Sequence, residues 1–252
     1  MVDKSAEIDA SATIGPYCVI ASHVKIGAGT ELGPYVSIQS GTEIGESNRF
    51  FGHASIGTEP QDLKFKGEAT RVRIGNRNMF REFISINRGS GHGGGLTSIG
   101  DESLFMAYSH IAHDCHVGSH VIFANAGTLA GHVEVGDYAQ VGAFSAVHQF
   151  CRVGPHAFIG GFSVITRDAL PYIKTVGDRN AAKIYDINSI GLQRRGFSKE
   201  TVEQLKRVYR ILFRSHLNTS DALAKVREQS WTAPEVDILI QFIESSKRGF
   251  IK

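Results

Sequence analysis

The 252-residue chain is poor in the residues that staple or anchor a protein. Its three cysteines, Cys18, Cys115 and Cys151, are odd in number, far apart and without a CxxC pair. That pattern offers neither a disulfide framework nor a thiolate zinc site, and it suits a reducing compartment. The formal net charge is only +2, which argues against a nucleic-acid binder that works by bulk phosphate neutralisation. The opening Met1-Val2-Asp3-Lys4-Ser5-Ala6-Glu7 has no apolar run, so neither a signal peptide nor a membrane span is expected, and a cytoplasmic location is. Proline is scarce at six residues, whereas glycine is abundant at 28, and the glycines turn out to be periodic.

From Ile8 an aliphatic or Phe residue recurs every six positions to Ile56. The pattern resumes at Ile74, Phe80 and Ile86, and again from Ile99 to Ile165, giving 24 hexads without a polar residue at any anchor. Gly follows the anchor in half of them, and the fifth position is usually small, as at Ala12, Cys18, Ala54, Cys115 and Cys151. Six residues are too few for a helix but fit one short strand and a turn. Anchor and fifth residue then point inward, three sides close a coil of eighteen residues, and Gly is expected to supply the unusual turn dihedrals. Each coil buries its apolar face only against its neighbours, so a stack of about eight is expected. All three cysteines fall on the inward fifth position, where a thiol is structural.

Two interruptions break the period, with loops expected at 57–73 and 87–98. Between Ile56 and Ile74 the stretch Glu59-Pro60-Gln61-Asp62-Leu63-Lys64-Phe65-Lys66 fits no hexad and either replaces a coil of wall or loops outward. Between Ile86 and Ile99 seven residues are inserted, among them Gly91-His92-Gly93-Gly94-Gly95. Loops leaving a rigid scaffold commonly carry function; a tolerated surface insertion is the competing account of the glycine-rich one. The solenoid is assigned to residues 1–172, and residues 173–252 to a transition segment and a helical domain. Ser198 is an N-cap for a helix with Val202, Leu205, Val208 and Leu212 on one face; further helices start at Thr219-Ser220-Asp221 and at Pro234, the last stopping near Lys247-Arg248-Gly249.

The eighteen-residue period converts sequence separation into proximity. His113, Gly131 and Gln149 share one column, and Asp114 lies beneath His132. His113 then reads as a general base whose ring a carboxylate, Asp114 or another, orients, because a neutral imidazole is suited to removing a hydroxyl proton. A zinc site drawing on His110, His113, His132 and His148 is the rival, with hydratase chemistry of the γ-carbonic-anhydrase type; a non-enzymatic scaffold is another. Lys64, Lys66 and Arg71 in the first loop, and Arg194 and Arg195 before the first helix, are candidate phosphate binders, the arginine pair being the better placed. Arg152, Arg167, Lys174 and Arg179 form a weaker basic set that would attract an acidic protein.

The motifs Gln61-Asp62-Leu63-Lys64, His110-Ile111-Ala112-His113-Asp114-Cys115, Leu129-Ala130-Gly131-His132-Val133, Ala146-Val147-His148-Gln149-Phe150-Cys151 and Arg194-Arg195-Gly196-Phe197-Ser198 closely resemble those of the UDP-N-acetylglucosamine acyltransferases that begin lipid A biosynthesis. The resemblance spans essentially the whole chain. It implies a left-handed parallel β-helix with a C-terminal helical domain, and a homotrimer with active sites between neighbouring subunits. The implied reaction passes a (R)-3-hydroxyacyl chain from acyl carrier protein to UDP-GlcNAc, or to its 3-amino analogue in some members, with no cofactor and no metal. Carried over residue by residue, His113 is the base, Asp114 its orienting carboxylate and Gly131 the oxyanion donor. His110, His132, His148 and Gln149 position sugar or pantetheine, and Asp62 and Lys64 reach sugar and phosphates. Asn188, Arg194 and Arg195 meet the uridine diphosphate, and Gly161 leaves room for a longer acyl chain. Asn87 stands where many members carry His, and the segment around Gly177-Asp178-Arg179-Asn180 is longer than usual. The N-acyltransferase acting next in the pathway is similar but has an extra N-terminal domain ahead of its hexads, which here begin at Ile8.

Overall fold

In a computed structural model describing residues 1–252, twenty-four short strands from Glu7–Ile8 to Val164–Ile165 wind into eight coils. Each coil lays one strand on each of three parallel sheets. Face one runs from Glu7–Ile8 to Arg152–Val153, face two starts at Thr13–Ile14, and face three runs from Val19–Ile20 to Val164–Ile165. Register partners lie one coil apart, Ile8 with Ile26, Ile14 with Leu32 and Val117 with Val135. The anchors fill the prism: Phe50, Phe80, Phe105 and Phe123 are buried in one stack, with ring centroids 4.5, 5.0 and 5.2 Å apart. Those separations follow the spacing of neighbouring strands, so the backbone ladder itself sets the packing of the core. Burying an aliphatic or Phe side chain contributes about 1.5–3 kcal/mol, and every coil repeats that gain three times.

The turn chemistry differs from the expectation. The left-handed corner residues are nearly all non-glycine and sit three positions beyond the anchor, as at Tyr17, Tyr35, Asp114, His132, Tyr138 and Phe150. Their strain is held by the coil below: the His132 N–H donates to the His113 carbonyl at 3.0 Å, and the Phe150 N–H to the Gly131 carbonyl at 3.2 Å. Glycine directly after the anchor serves close approach instead. A Cβ on Gly15 would stand 2.7 Å from the Leu32 carbonyl oxygen, and one on Gly27 2.7 Å from the Gly45 carbonyl carbon.

Both insertions loop outward. Ile44 pairs with Ile74, thirty positions on where the register elsewhere is eighteen, so twelve residues are extruded; Ile74 pairs with Ile99, leaving seven. The loops span 59–70 and 88–95, narrower than expected, because the strands Ser55–Thr58, Arg71–Ile74, Ser85–Asn87 and Leu96–Ile99 extend into them.

Past the last coil, Ile173–Val176 stacks on Phe158–Ile159 and Lys183–Ile187 returns antiparallel to it. Four helices follow: α1 Ser189–Arg194, α2 Lys199–Arg214, α3 Thr219–Arg227 and α4 Pro234–Glu244. Helix α1 was not anticipated, since six residues are too short to display a period. Ser198 caps α2 and Pro234 opens α4 as expected, but α4 ends at Glu244, where the chain turns to pair Phe250 with Asp168. Arg152 is withdrawn from the expected basic surface. Its guanidinium binds the buried Asp168 at 3.0 Å, donates to the Phe242 carbonyl and lies 4.3 Å from the Phe242 ring centre, joining solenoid to helices.

The corner between faces one and two stacks His120, Tyr138, His156 and Tyr172 at 4.5, 4.7 and 5.7 Å. Burial, and then the nearby Arg195 cation, pull the His156 pKa from 6.5 down to about 4. The unfolded chain therefore takes up a proton below pH 6.5 that the folded one refuses until about pH 4, and stability is lost as pH falls through that window. His156→Phe keeps the stack and removes the penalty. Its melting temperature relative to the parent is expected to rise between pH 7.5 and pH 5; an identical difference at both values would contradict this.

Candidate active site

Three successive coils treat the corner between faces three and one differently. The first extrudes 59–70 there, the second 88–95, and the third turns directly through Ala112-His113-Asp114-Cys115. Both loops thus fold over the corner that presents His113.

His113 Nδ1 lies 2.8 Å from Asp114 Oδ2; the His113 side chain is 12% exposed and that of Asp114 is fully buried. With the carboxylate ionised, Nδ1 carries the proton and donates it, leaving the Nε2 lone pair free on a neutral ring. Burial alone would raise the Asp114 pKa. Donation from the Ser90 hydroxyl, the His113 ring and the Ser90 N–H outweighs it and holds the carboxyl below its usual value. One coil on, Gly131 leaves space for the imidazole: a Cβ there would stand 2.6 Å from His113 Cε1 and 2.7 Å from Nε2. The Gly131 N–H has no protein acceptor. At the next corner the equivalent amides are taken, Asp101 by Ser119 Oγ at 3.0 Å and Ser119 by Asp137 Oδ1 at 2.8 Å. No side chain plays that part for Gly131, whose donor stays open.

His132 stands above Asp114, edge-on to His113 at 5.0 Å and stacked on Phe150 at 4.3 Å. Burial lowers its pKa, against the opposing pull of Asp114. These rings floor a cleft of about 750 Å³ that Asp62, Lys64, His92 and Gln149 complete. The two loops are tied across it: His92 Nε2 meets Asp62 Oδ2 at 3.1 Å, and Arg88 pairs with Glu59 at 3.3 Å. Asn87 donates to Thr58 Oγ1 at 2.8 Å and the Glu59 carbonyl at 2.9 Å, anchoring the base of the first loop.

The structure gathers Asp62, Lys64, His113, Asp114, Gly131, His132 and Gln149 at this corner, and leaves other expected residues away from the cleft. His110 is on the strand His110–Ile111, its Nδ1 2.7 Å from Ser85 Oγ; burial lowers its pKa. His148 turns toward Arg248 at 3.4 Å rather than into the cleft. Gly161 occupies the corner between faces two and three, where a Cβ would meet only the Ala143 carbonyl at 3.3 Å and its amide nitrogen at 3.8 Å. Asn188 is the N-cap of α1, accepting from Gly191 N–H and donating to the His156 carbonyl at 3.2 Å. With Lys174, Arg194 and Arg195 it lines a second cleft of about 680 Å³ on face two, where the Arg195 guanidinium lies 5.0 Å from the Tyr138 ring centre. Of the four histidines weighed for zinc, only His113 and His132 converge, with Asp114, their ligand atoms within 4.8 Å. Ser90, His92 and Phe150 were not singled out from the sequence. Phe150 was readable as the residue one coil beyond His132, whereas the loop residues lie where the register is broken.

A prism of eighteen-residue coils that carries a carboxylate-held imidazole beside an open backbone donor defines a hexapeptide-repeat acyltransferase. Residues 132–167 match the bacterial transferase hexapeptide model (six repeats), and residues 168–251 match the second domain of UDP N-acetylglucosamine O-acyltransferase. The chain is 49% identical to the acyl-[acyl-carrier-protein]–UDP-N-acetylglucosamine O-acyltransferase of Thermodesulfovibrio yellowstonii, over all of this chain and 97% of that one. It superposes on the crystal structure of UDP-N-acetylglucosamine O-acyltransferase from Moraxella catarrhalis with a TM-score of 0.96 at 42% identity, covering 100% and 97% of the two chains. On the Arabidopsis UDP-N-acetylglucosamine acyltransferase the score is 0.83 at 34% identity, with both chains fully covered. The chain belongs to the UDP-N-acetylglucosamine O-acyltransferase family. A solenoid of the opposite hand could not superpose so closely, so the fold is the family's left-handed parallel β-helix.

Gly131→Ala is expected to displace the His113 ring while leaving the fold intact, because the backbone there is not left-handed. The His113 Cε1–H resonance should shift with little change in melting temperature; an unmoved ring would contradict the close approach.

Proposed function

We propose that this protein performs the O-acylation of UDP-GlcNAc by acyl carrier protein for which its relatives are named, that the acyl group is a (R)-3-hydroxyacyl chain and the acceptor the glucosamine 3-position, and that His113 is the general base. One observation carries the role of His113: its Nε2 packs against Gly131, whose N–H is unpaired, while Asp114 holds Nδ1. Nε2 takes the proton of the acceptor hydroxyl as its oxygen attacks the thioester carbonyl. The Gly131 N–H donates to the tetrahedral oxyanion, where a fixed donor stabilises developing charge without reorganisation. Collapse expels the carrier thiolate, which recovers the proton from His113, giving ester and free thiol. Asp62, Lys64, His132 and Gln149 border the space that the sugar fills. An amine acceptor fits the same proton transfer, so product mass from UDP-GlcNAc and its 3-amino analogue identifies the nucleophile.

The face-two cleft with Asn188, Arg194 and Arg195 supplies cations suited to a diphosphate, yet it lies across the prism from His113. On this reading a homotrimer brings the Arg195 cleft and Gly161 of one protomer to the His113 cleft of the next. On this reading the protein works in the cytoplasm, where acyl carrier protein and nucleotide sugars are available. No helix of the structure is long and apolar enough to cross a membrane.

His113→Ala is expected to reduce acyl transfer to UDP-GlcNAc by about 10³-fold, within the range of general-base catalysis, with oligomer mass unchanged. Retained turnover would overturn the role of His113. Arg195→Ala should raise the KM for UDP-GlcNAc more than it lowers kcat, since the proposed contact is made to the ground state and transition state alike.

A further inference from the structure

The glycine-rich insertion 88–95 is built around a side chain no motif pointed to. Ser90 is fully buried, and its carbonyl closes the loop by accepting from the Gly95 N–H at 2.9 Å and the Gly93 N–H at 3.1 Å. Its two donors converge on one carboxylate. The Ser90 N–H reaches Asp114 Oδ1 at 2.9 Å and Oδ2 at 3.1 Å, and the hydroxyl reaches Oδ2 at 2.5 Å. Oδ2 is the same oxygen that accepts from His113 Nδ1. Gly93 passes so close that a Cβ there would overlap the Asp114 carboxylate, so the loop presses on this group without intervening solvent. From the other side the Asp114 N–H donates to Thr97 Oγ1 at 2.9 Å, fixing a residue held at φ 57°.

We propose that Ser90 is a positioning residue for the reaction: its hydroxyl and N–H fix the rotation of the Asp114 carboxylate, and through it the tautomer and aim of His113. An acidic side chain adjoining the base in sequence has two oxygens and a free terminal torsion. Left to itself it would present either oxygen, or turn toward His132, whose Nδ1 is only 3.9 Å from Oδ2. Three donors on two oxygens leave one arrangement, in which the His113 N–H completes the set. A loop that only covered the surface would need neither a buried hydroxyl nor so close a glycine. The seven-residue insertion therefore acts on the base from outside the hexad pattern, and Ser90 itself touches no substrate.

The inference rests on His113 being the base, and the test separates the two. Ser90→Thr and Ser90→Val add nearly the same bulk and differ in the hydroxyl. Ser90→Thr is expected to keep kcat within about twofold, and Ser90→Val to lose about tenfold or more, the value of a charge-assisted hydrogen bond expressed in rate, with the KM for UDP-GlcNAc unchanged in both. On an Asp114→Asn background the Val substitution should cost little further, because the group it positions is already altered. Equal kcat for the two variants, or a loss that multiplies undiminished on Asp114→Asn, overturns the proposal. Turnover in His113→Ala, assayed alongside, would instead overturn the base on which it depends. Oligomer mass and melting temperature confirm that each variant is folded.

Discussion

Backbone hydrogen bonds between coils hold each strand residue of the solenoid at strand spacing above its counterpart one coil back, eighteen positions earlier wherever no loop intervenes, and that ladder governs everything else. It stacks the phenylalanines of the core and lets corner residues such as Asp114, His132 and Phe150 persist in a left-handed conformation that a free turn would give to glycine. It also explains why glycine follows so many anchors: neighbouring coils run too close there for a Cβ. A side chain mounted on such a corner can move only through its own torsions. The catalytic problem reduces to fixing two or three side-chain rotations.

Those rotations are fixed from outside the repeat. His113 receives its direction from Asp114, Asp114 from a loop that leaves the coil before it, and the open Gly131 N–H from the coil after it. Burial serves the same end. A carboxylate in a dry pocket would ordinarily be penalised, but its donors hold it ionised, and an ionised Asp114 keeps the proton of His113 on Nδ1. Cys115, next in the chain, points the other way into the core, where burial and then the Asp114 charge push its thiol up to about 12. No thiolate forms beside His113, which accords with the proposed direct attack by the acceptor.

The periodic part of the molecule was readable because its physics is periodic. Anchors, inward cysteines, coil number and the column His113–Gly131–Gln149 all follow from one repeat length, and the repeat survives as long as no residue is inserted. Where that condition fails the sequence loses its coordinate system. Ser90 precedes Asp114 by 24 positions, which corresponds to no multiple of the coil, and only the extruded loop brings it back to the corner. Helix α1 escaped for a related reason, being too short for a period and stabilised by the Asn188 cap. Family motifs reached further than the residues alone for Asp62, yet motif membership does not fix orientation: His148 lies in the motif Ala-Val-His-Gln-Phe-Cys and still faces Arg248.

The same rigidity bears on how many chains make one site. A flexible protein could close its basic cleft onto its base, but a prism whose three faces are each pinned by continuous ladders cannot bend one face toward a corner formed by the other two. The Arg195 guanidinium lies against Tyr138 on the same face, in the stack that continues through His156 and Tyr172. If the cations of face two serve the reaction at His113, they must be offered by a neighbouring chain. On the proposed reading, the stiffness that holds His113 in place within one chain makes activity a property of the assembly.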